Sequence, residues 1–296
     1  MTDASVSPRS DRAARPGRTR HHLGSGIRHA ILIVVGLVWL VPMYLMVVNA
    51  FKPQTAILSS PFGMPLGRMT VRFLEHALVN PTFNVLHAYG ATLLFVVLDV
   101  TAVVLLCGPV SYVIARGARK RYQVLLFYFV LGTFIPGQAV LIPAVYVLRD
   151  MHIMNSIPGL VAFQTVGSLP VTIFLYVAYI RSIPLSIDEA AKIDGAGRLR
   201  TFWSLIFPIM RPIVATNVIL VAMGVWNDFV SPEIILGPTS GMQTITTGIY
   251  EAIGVYSTQF TTVFPDLLLV LGPALAFFLI MQRHIVSGLT AGATKT

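Results

Sequence analysis

From Ala30 to Ala50 the chain runs without one charged side chain, and five more apolar stretches of similar length follow. They are approximately Ala91 to Ala115, Val124 to Leu148, Pro158 to Ile180, Pro212 to Val230 and Val263 to Gln282. A helix rises 1.5 Å per residue, so about 20 apolar residues match the ~30 Å hydrocarbon core of a bilayer. Backbone polar groups in lipid must find partners within their own segment, which predicts helices. Only 11% of the residues are charged, against about 25% in soluble domains. The expectation is an all-α polytopic membrane protein with six transmembrane helices in one domain, 30–282, kinked at Pro136, Pro143, Pro170 and Pro273.

The ends differ from this body. Residues 1–29 carry Arg9, Arg12, Arg15, Arg18, Arg20 and Arg28 among prolines, glycines and serines, and read as a basic disordered tail. The apolar run that follows is a full span, longer than the about 7 to 15 residues of a cleaved signal. With the N-terminus inside, seventeen of the 21 Lys and Arg residues fall in cytoplasmic pieces, and only Lys52, Arg68, Arg72 and Arg149 fall outside. The positive-inside rule then puts both termini, including a short tail 283–296, on the cytoplasmic side, and the lack of an export signal fits a prokaryotic plasma or inner membrane.

Several chemistries lack their residues. Cys107 is the single cysteine, and the seven histidines show no metal-ligand spacing such as H-E-x-x-H. The net charge of +9 is read as topology rather than nucleic-acid binding. A phosphate-binding loop needs Gly directly before its Lys, whereas Lys52, Lys120, Lys192 and Lys295 follow Phe51, Arg119, Ala191 and Thr294.

The most informative segment is the cytoplasmic loop 181–211. Ser186 and Glu189 are spaced as a capping box, and Glu189, Ala190, Ala191 and Lys192 favour a short helix. Gly195 and Gly197 then stop it or turn the chain. A second amphipathic helix is expected from about Leu199, with Phe202, Leu205 and Ile206 on one face, closed by Pro208 and Pro212. Two short helices at a glycine turn, with small alanines and an exposed carboxylate, make a knob suited to docking on a basic partner.

Glu189-Ala190-Ala191, Asp194-Gly195 and Pro208 resemble the EAA motif of the membrane subunits of ABC importers, with Leu205 and Phe207 where that family usually has Ile and Leu. The resemblance extends beyond the loop to the sugar permeases of the maltose type. It is carried by Ala50-Phe51-Lys52-Pro53, Tyr112 with Ala115-Arg116, Phe134-Ile135-Pro136-Gly137-Gln138 and Leu141-Ile142-Pro143, and by Trp226-Asn227-Asp228-Phe229 and Gly288 to Ala293. It implies a type I ABC importer permease fold with cytoplasmic coupling helices, and a subunit that is not an enzyme. The implied partners are a homologous second permease, two ATPase subunits that hydrolyse ATP with Mg, and an extracytoplasmic solute-binding protein. This chain itself is expected to hold no cofactor. The implied coupling residues are Glu189, Ala190, Ala191, Asp194, Gly195 and Pro208. The implied cargo is a sugar or oligosaccharide, with a polyol or glycerol-phosphate compound as the alternative.

Polar residues within the spans are candidates for a translocation path. Asp99 stands where a charge costs at least about 2.5 to 3.5 kcal/mol, so it reads either as a structural carboxyl or as part of the path, and it would serve an ion-coupled secondary transporter. Gln138, Gln164, Asn217 and Asn227, with Asn84, have amides suited to sugar hydroxyls, or equally to joining helices. Trp226, Tyr250 and Tyr256 read as interfacial anchors. The cluster Arg116, Arg119, Lys120 and Arg121 reads as stop-transfer charge, with anionic lipid headgroups as the other reading. The outside segment 51–90 is expected on the membrane surface, available to the binding protein.

Overall fold

The computed structural model describes residues 20–64, 67, 69–79, 83–237, 240–255 and 259–293. Secondary structure among them is helical throughout. In chain order the helices are α1 (Arg20–Asn49), α2 (Gln54–Ser59), α3 (Arg72–Leu78), α4 (Val85–Arg116), α5 (Lys120–Gly132), α6 (Gly137–Asp150) and α7 (Ile157–Ser182). The short α8 (Ser186–Ile193), α9 (Arg198–Thr201) and α10 (Phe207–Ile209) follow, then α11 (Arg211–Asn227), α12 (Val230–Ile235), α13 (Ile245–Val255) and α14 (Phe260–Ala293).

By length and composition three helical stretches can cross a membrane unaided: Arg28–Asn49, Val85–Arg116 and Ile157–Ser182. Two bent pairs, α5 with α6 and Arg198–Ile209 with α11, raise the number to five, and the apolar part of α14, Phe260–Ala276, is shorter. The segment expected as a kinked third span is broken outright, its halves at 103°. Pro136 supplies no N–H and holds Ile135 away from helical geometry, while Gly132 ends α5 and Thr133 donates its hydroxyl to the Val130 carbonyl at 2.7 Å. Neither half, about 20 Å long at 1.5 Å per residue, reaches across ~30 Å of hydrocarbon.

Helix ends also depart from expectation. Residues 20–29 were expected in a disordered tail, yet they form the first turns of α1, since helical pairing continues readily through Arg and His once nucleated. Residues 1–19 lie outside the described part. The presumed tail from Arg283 is helical as far as Ala293. Asn84 caps α4, its Oδ1 accepting the His87 amide at 3.0 Å, and Ser156 caps α7 through the Gly159 amide.

The core is the contact of α4 with α7, extended by α11. Phe95, Val103, Cys107, Leu160, Ile173 and Tyr176 are fully buried there with Phe202, Ile206 and Met210 of the 198–210 segment. A second cluster gathers Phe83, Val85 and Ala88 against Ile245, Ile249 and Val270. The middle of α1, by contrast, exposes apolar side chains continuously from Ile31 to Val41. Burying one such side chain is worth about 1.5–3 kcal/mol, so this surface belongs to lipid or to another subunit.

Segments expected on one side of the membrane are bonded to each other. At one end the Arg116 guanidinium donates to the Ile183 carbonyl at 3.1 Å. At the other the Asn155 amide donates to the Ile235 carbonyl, and the Thr261 amide to Gln54 Oε1. Lys52 belongs to that second end. It is buried, its Nζ donating to Asn49 Oδ1 and to the Ser60 and Pro61 carbonyls at 2.9–3.1 Å, and burial lowers its pKa from the ordinary lysine value.

Candidate coupling and translocation sites

The candidate coupling knob is built on a tight helix ending. Gly195 has φ +75. Its amide donates to the Lys192 carbonyl at 3.1 Å and the Ala196 amide to the Ala191 carbonyl at 2.9 Å, the paired closure of a helix whose next residue is left-handed. Leu185 precedes α8 in helical conformation and no side chain caps it, so the expected capping box between Ser186 and Glu189 does not form. The Leu185 carbonyl accepts the Glu189 amide instead.

One face of α8 turns inward through Ile187, Asp188 and the buried Ala191, while Glu189, Ala190, Ile193 and Asp194 are exposed. Ile193 is 87% exposed and Leu199 is exposed across the turn, an apolar tip beside the Glu189 carboxylate. After α9 the chain makes a π-helical turn, Phe202–Ile206. The wider turn changes the expected buried face: Phe202, Ile206 and Met210 are buried and Leu205 is exposed. Pro208 lies half-buried in α10, and the chain then bends by 81° into α11. The Tyr179 hydroxyl donates to the Ile209 carbonyl at 3.2 Å, clasping the two ends of the loop.

Asp188, not singled out in the sequence, anchors the knob. It forms an ion pair with Arg116 at 2.8 Å, with the two side chains only 17% and 13% exposed, and accepts the Tyr112 hydroxyl at 2.6 Å. Both partners end α4. Phe202 reinforces the link, because a Cβ on Gly108 of α4 would stand 2.8 Å from its ring. The sequence did contain a signal: a second carboxylate beside Glu189 in the loop and, in Arg116, the basic residue that directly closes a span.

The polar candidates divide. Gln164, Asn217 and Thr172 line an open groove of about 360 Å³ between α7 and α11, with Gly167, Gly224 and Asp228. Thr172 donates to Asn217 Oδ1 at 3.1 Å, and Gln164 Nε2 donates to Asp228 Oδ2 at 3.0 Å. Gln138 is exposed at the start of α6, next to the groove-lining Gly137. Asn227 donates to the Met223 carbonyl and does not line the groove. Asp99 is fully buried and is not one of the residues lining the groove, one oxygen accepting the Thr165 hydroxyl at 3.0 Å and the other without a partner among the described residues. Asp266, unremarked in the sequence, is also buried, with neither carboxyl oxygen partnered among the described residues. Trp226 packs beside Tyr89 and Tyr250 against Phe229. Tyr256 lies outside the described residues.

No group of His, Cys, Asp and Glu suited to a metal ion occurs among the described residues. The helical architecture matches that of a bacterial ABC transporter structure involved in import of the acidic polysaccharide alginate, with a TM-score of 0.75, 20% identity and coverage of 91% of this chain and 99% of that one. In sequence the chain is 32% identical to the multiple sugar-binding transport system permease protein MsmG of Streptococcus mutans, over 90% of this chain and 96% of the relative. It is 29% identical to the diacetylchitobiose uptake system permease protein NgcG of Streptomyces coelicolor, over 95% and 93%. Residues 108–290 match the family model described as binding-protein-dependent transport system inner membrane component. These residues span the last turns of α4, all of α7, the candidate coupling knob and the groove, and the chain therefore belongs to that family of membrane transport components, whose permeases carry out no chemical reaction.

Proposed function

We propose that this chain is one permease of an ATP-driven importer for a sugar or oligosaccharide delivered by a solute-binding protein. It crosses the membrane six times with both termini cytoplasmic, beside a homologous permease, and two partner subunits bind and hydrolyse ATP with Mg. The observation that carries the reading is the two-sided knob. Its outer face offers Glu189, Ala190 and the apolar tip of Ile193 to a partner, while its inner face is fastened to α4 through Asp188 and Arg116. A push on the outer face is thus delivered to a spanning helix, as rigid-body alternating access requires.

The groove supports a neutral cargo. Its lining is mainly apolar, with Gln164, Ser168, Thr172, Asn217 and Asp228 as the polar groups and no Lys or Arg among the described residues, so a neutral sugar is better matched than the phosphate of a glycerol-phosphate compound. Affinity purification of the tagged protein from native membranes tests the reading. The expected result is co-purification of a second permease and a P-loop ATPase, with the ATPase lost in Glu189→Lys. Recovery of the chain without any ATPase would refute it.

A further inference from the structure

A cavity of about 670 Å³ lies beside the knob, and its charged lining is almost entirely positive. Arg116 ends α4, Arg119 and Arg121 stand at the turn into α5, and Lys192 and Arg198 approach from the knob. Among the described residues the only ion pair is Arg116 with Asp188, which leaves four cations facing one concavity without a carboxylate of their own. Arg121 is held at the mouth by Tyr122, its guanidinium 4.9 Å from the ring centre and donating to the hydroxyl at 3.1 Å. Stop-transfer charge needs only a solvated run of basic residues. Here segments some seventy residues apart in sequence converge, which such a run does not require.

The cavity also has apolar lining. Val113 and Leu185 line it, and Val113 continues down α4 as an exposed stripe through Val110 and Leu106, spaced to share one face of the helix. A cationic cup above an apolar track has the two-part chemistry of a phospholipid. We infer that this cavity seats the phosphodiester headgroup of an anionic phospholipid, with an acyl chain along Val113, Val110 and Leu106. A free phosphate would make no use of the track. An acidic protein surface would meet the knob on Glu189 and Ile193, roughly 100° round α8 from Asp188. The inference rests on the proposed orientation, which places this end in the cytoplasmic leaflet, where basic clusters attract anionic lipid. The lipid would brace the knob against the end of α4.

The test is native mass spectrometry of the detergent-purified full chain with its co-purifying subunits, titrated with phosphatidylglycerol or phosphatidylcholine. The wild type is expected to retain phosphatidylglycerol selectively. Combined Arg119→Gln, Arg121→Gln and Arg198→Gln is expected to weaken that retention about fivefold for each charge removed, and the matching lysine variants to keep it. Unchanged retention in the glutamine variant would overturn the inference, as would displacement of the lipid by excess inorganic phosphate, or loss of the ATPase from the glutamine variant. Because retention is read on this chain's own mass, it stays measurable if no ATPase co-purifies, so the two readings fail separately.

Discussion

Gly195 carries the turn of the knob through its left-handed conformation, at φ +75 with open space around its Cα. Left-handed backbone costs an ordinary residue about 1–2 kcal/mol, more for a β-branched one, and Asn the least. Gly195→Asn is therefore expected to support near-normal uptake, Gly195→Asp somewhat less and Gly195→Val almost none, with insertion unchanged in all three. Radiolabelled sugar uptake in whole cells ranks them, and equal activity of the Asn and Val variants would show that the turn is not the requirement. Asp99 poses a different question, because its only hydrogen bond among the described residues is the one from Thr165. Asn at that position keeps the acceptor and removes the carboxyl. Asp99→Asn is expected to leave ATP-driven uptake within about twofold and its pH profile unmoved, since the Thr165 hydroxyl keeps an acceptor. Loss of uptake would place the carboxyl on an ion or proton path.

At the level of elements, the question is what joins α8 to α4. The Arg116–Asp188 pair is mostly buried, so removing one partner strands the other. That costs 3–5 kcal/mol for a fully buried pair, and about 2 kcal/mol is reasonable here because both groups keep some solvent. Asp188→Asn should lower the melting temperature of the purified protein and uncouple ATPase activity from transport. The double variant Arg116→Met, Asp188→Leu should recover the melting temperature but not the coupling. Additive losses in the double variant would mean the two residues act independently. These elements also show where the sequence is legible. Apolar run length located α7 and α11 within a few residues and the C-terminal ends of α1 and α4, whose starts lie ten and six residues earlier than the apolar runs, and Gly195 announced its turn. Hydropathy carries no angle, so it could not separate a kink at Pro136 from the 103° break. Nor does side-chain spacing reveal a π turn, because that depends on how Phe202 seats beside Gly108 in the tertiary structure. Asp188 was hidden for a similar reason: its partner is 72 positions away.

For the whole molecule, the distribution of basic residues makes a claim about sidedness that the bonded loop groups support only in relative form. Residues 116–122 and 183–201 share one end, while 52–61, 155, 235 and 261 share the other. Which end faces the cytoplasm follows from the Lys and Arg count, and the sequence makes that count directly testable. Cys107 is the only cysteine and it is fully buried, so a membrane-impermeant maleimide should leave the wild type unlabelled in intact cells and after lysis. Ser59 and Ser204 are both exposed and lie at opposite ends. Ser59→Cys is expected to label in intact cells, and Ser204→Cys only once the membrane is opened. The reverse pattern would invert the molecule and expose the knob outside, where no ATP-driven partner could reach it, and the proposed coupling would fall with the orientation.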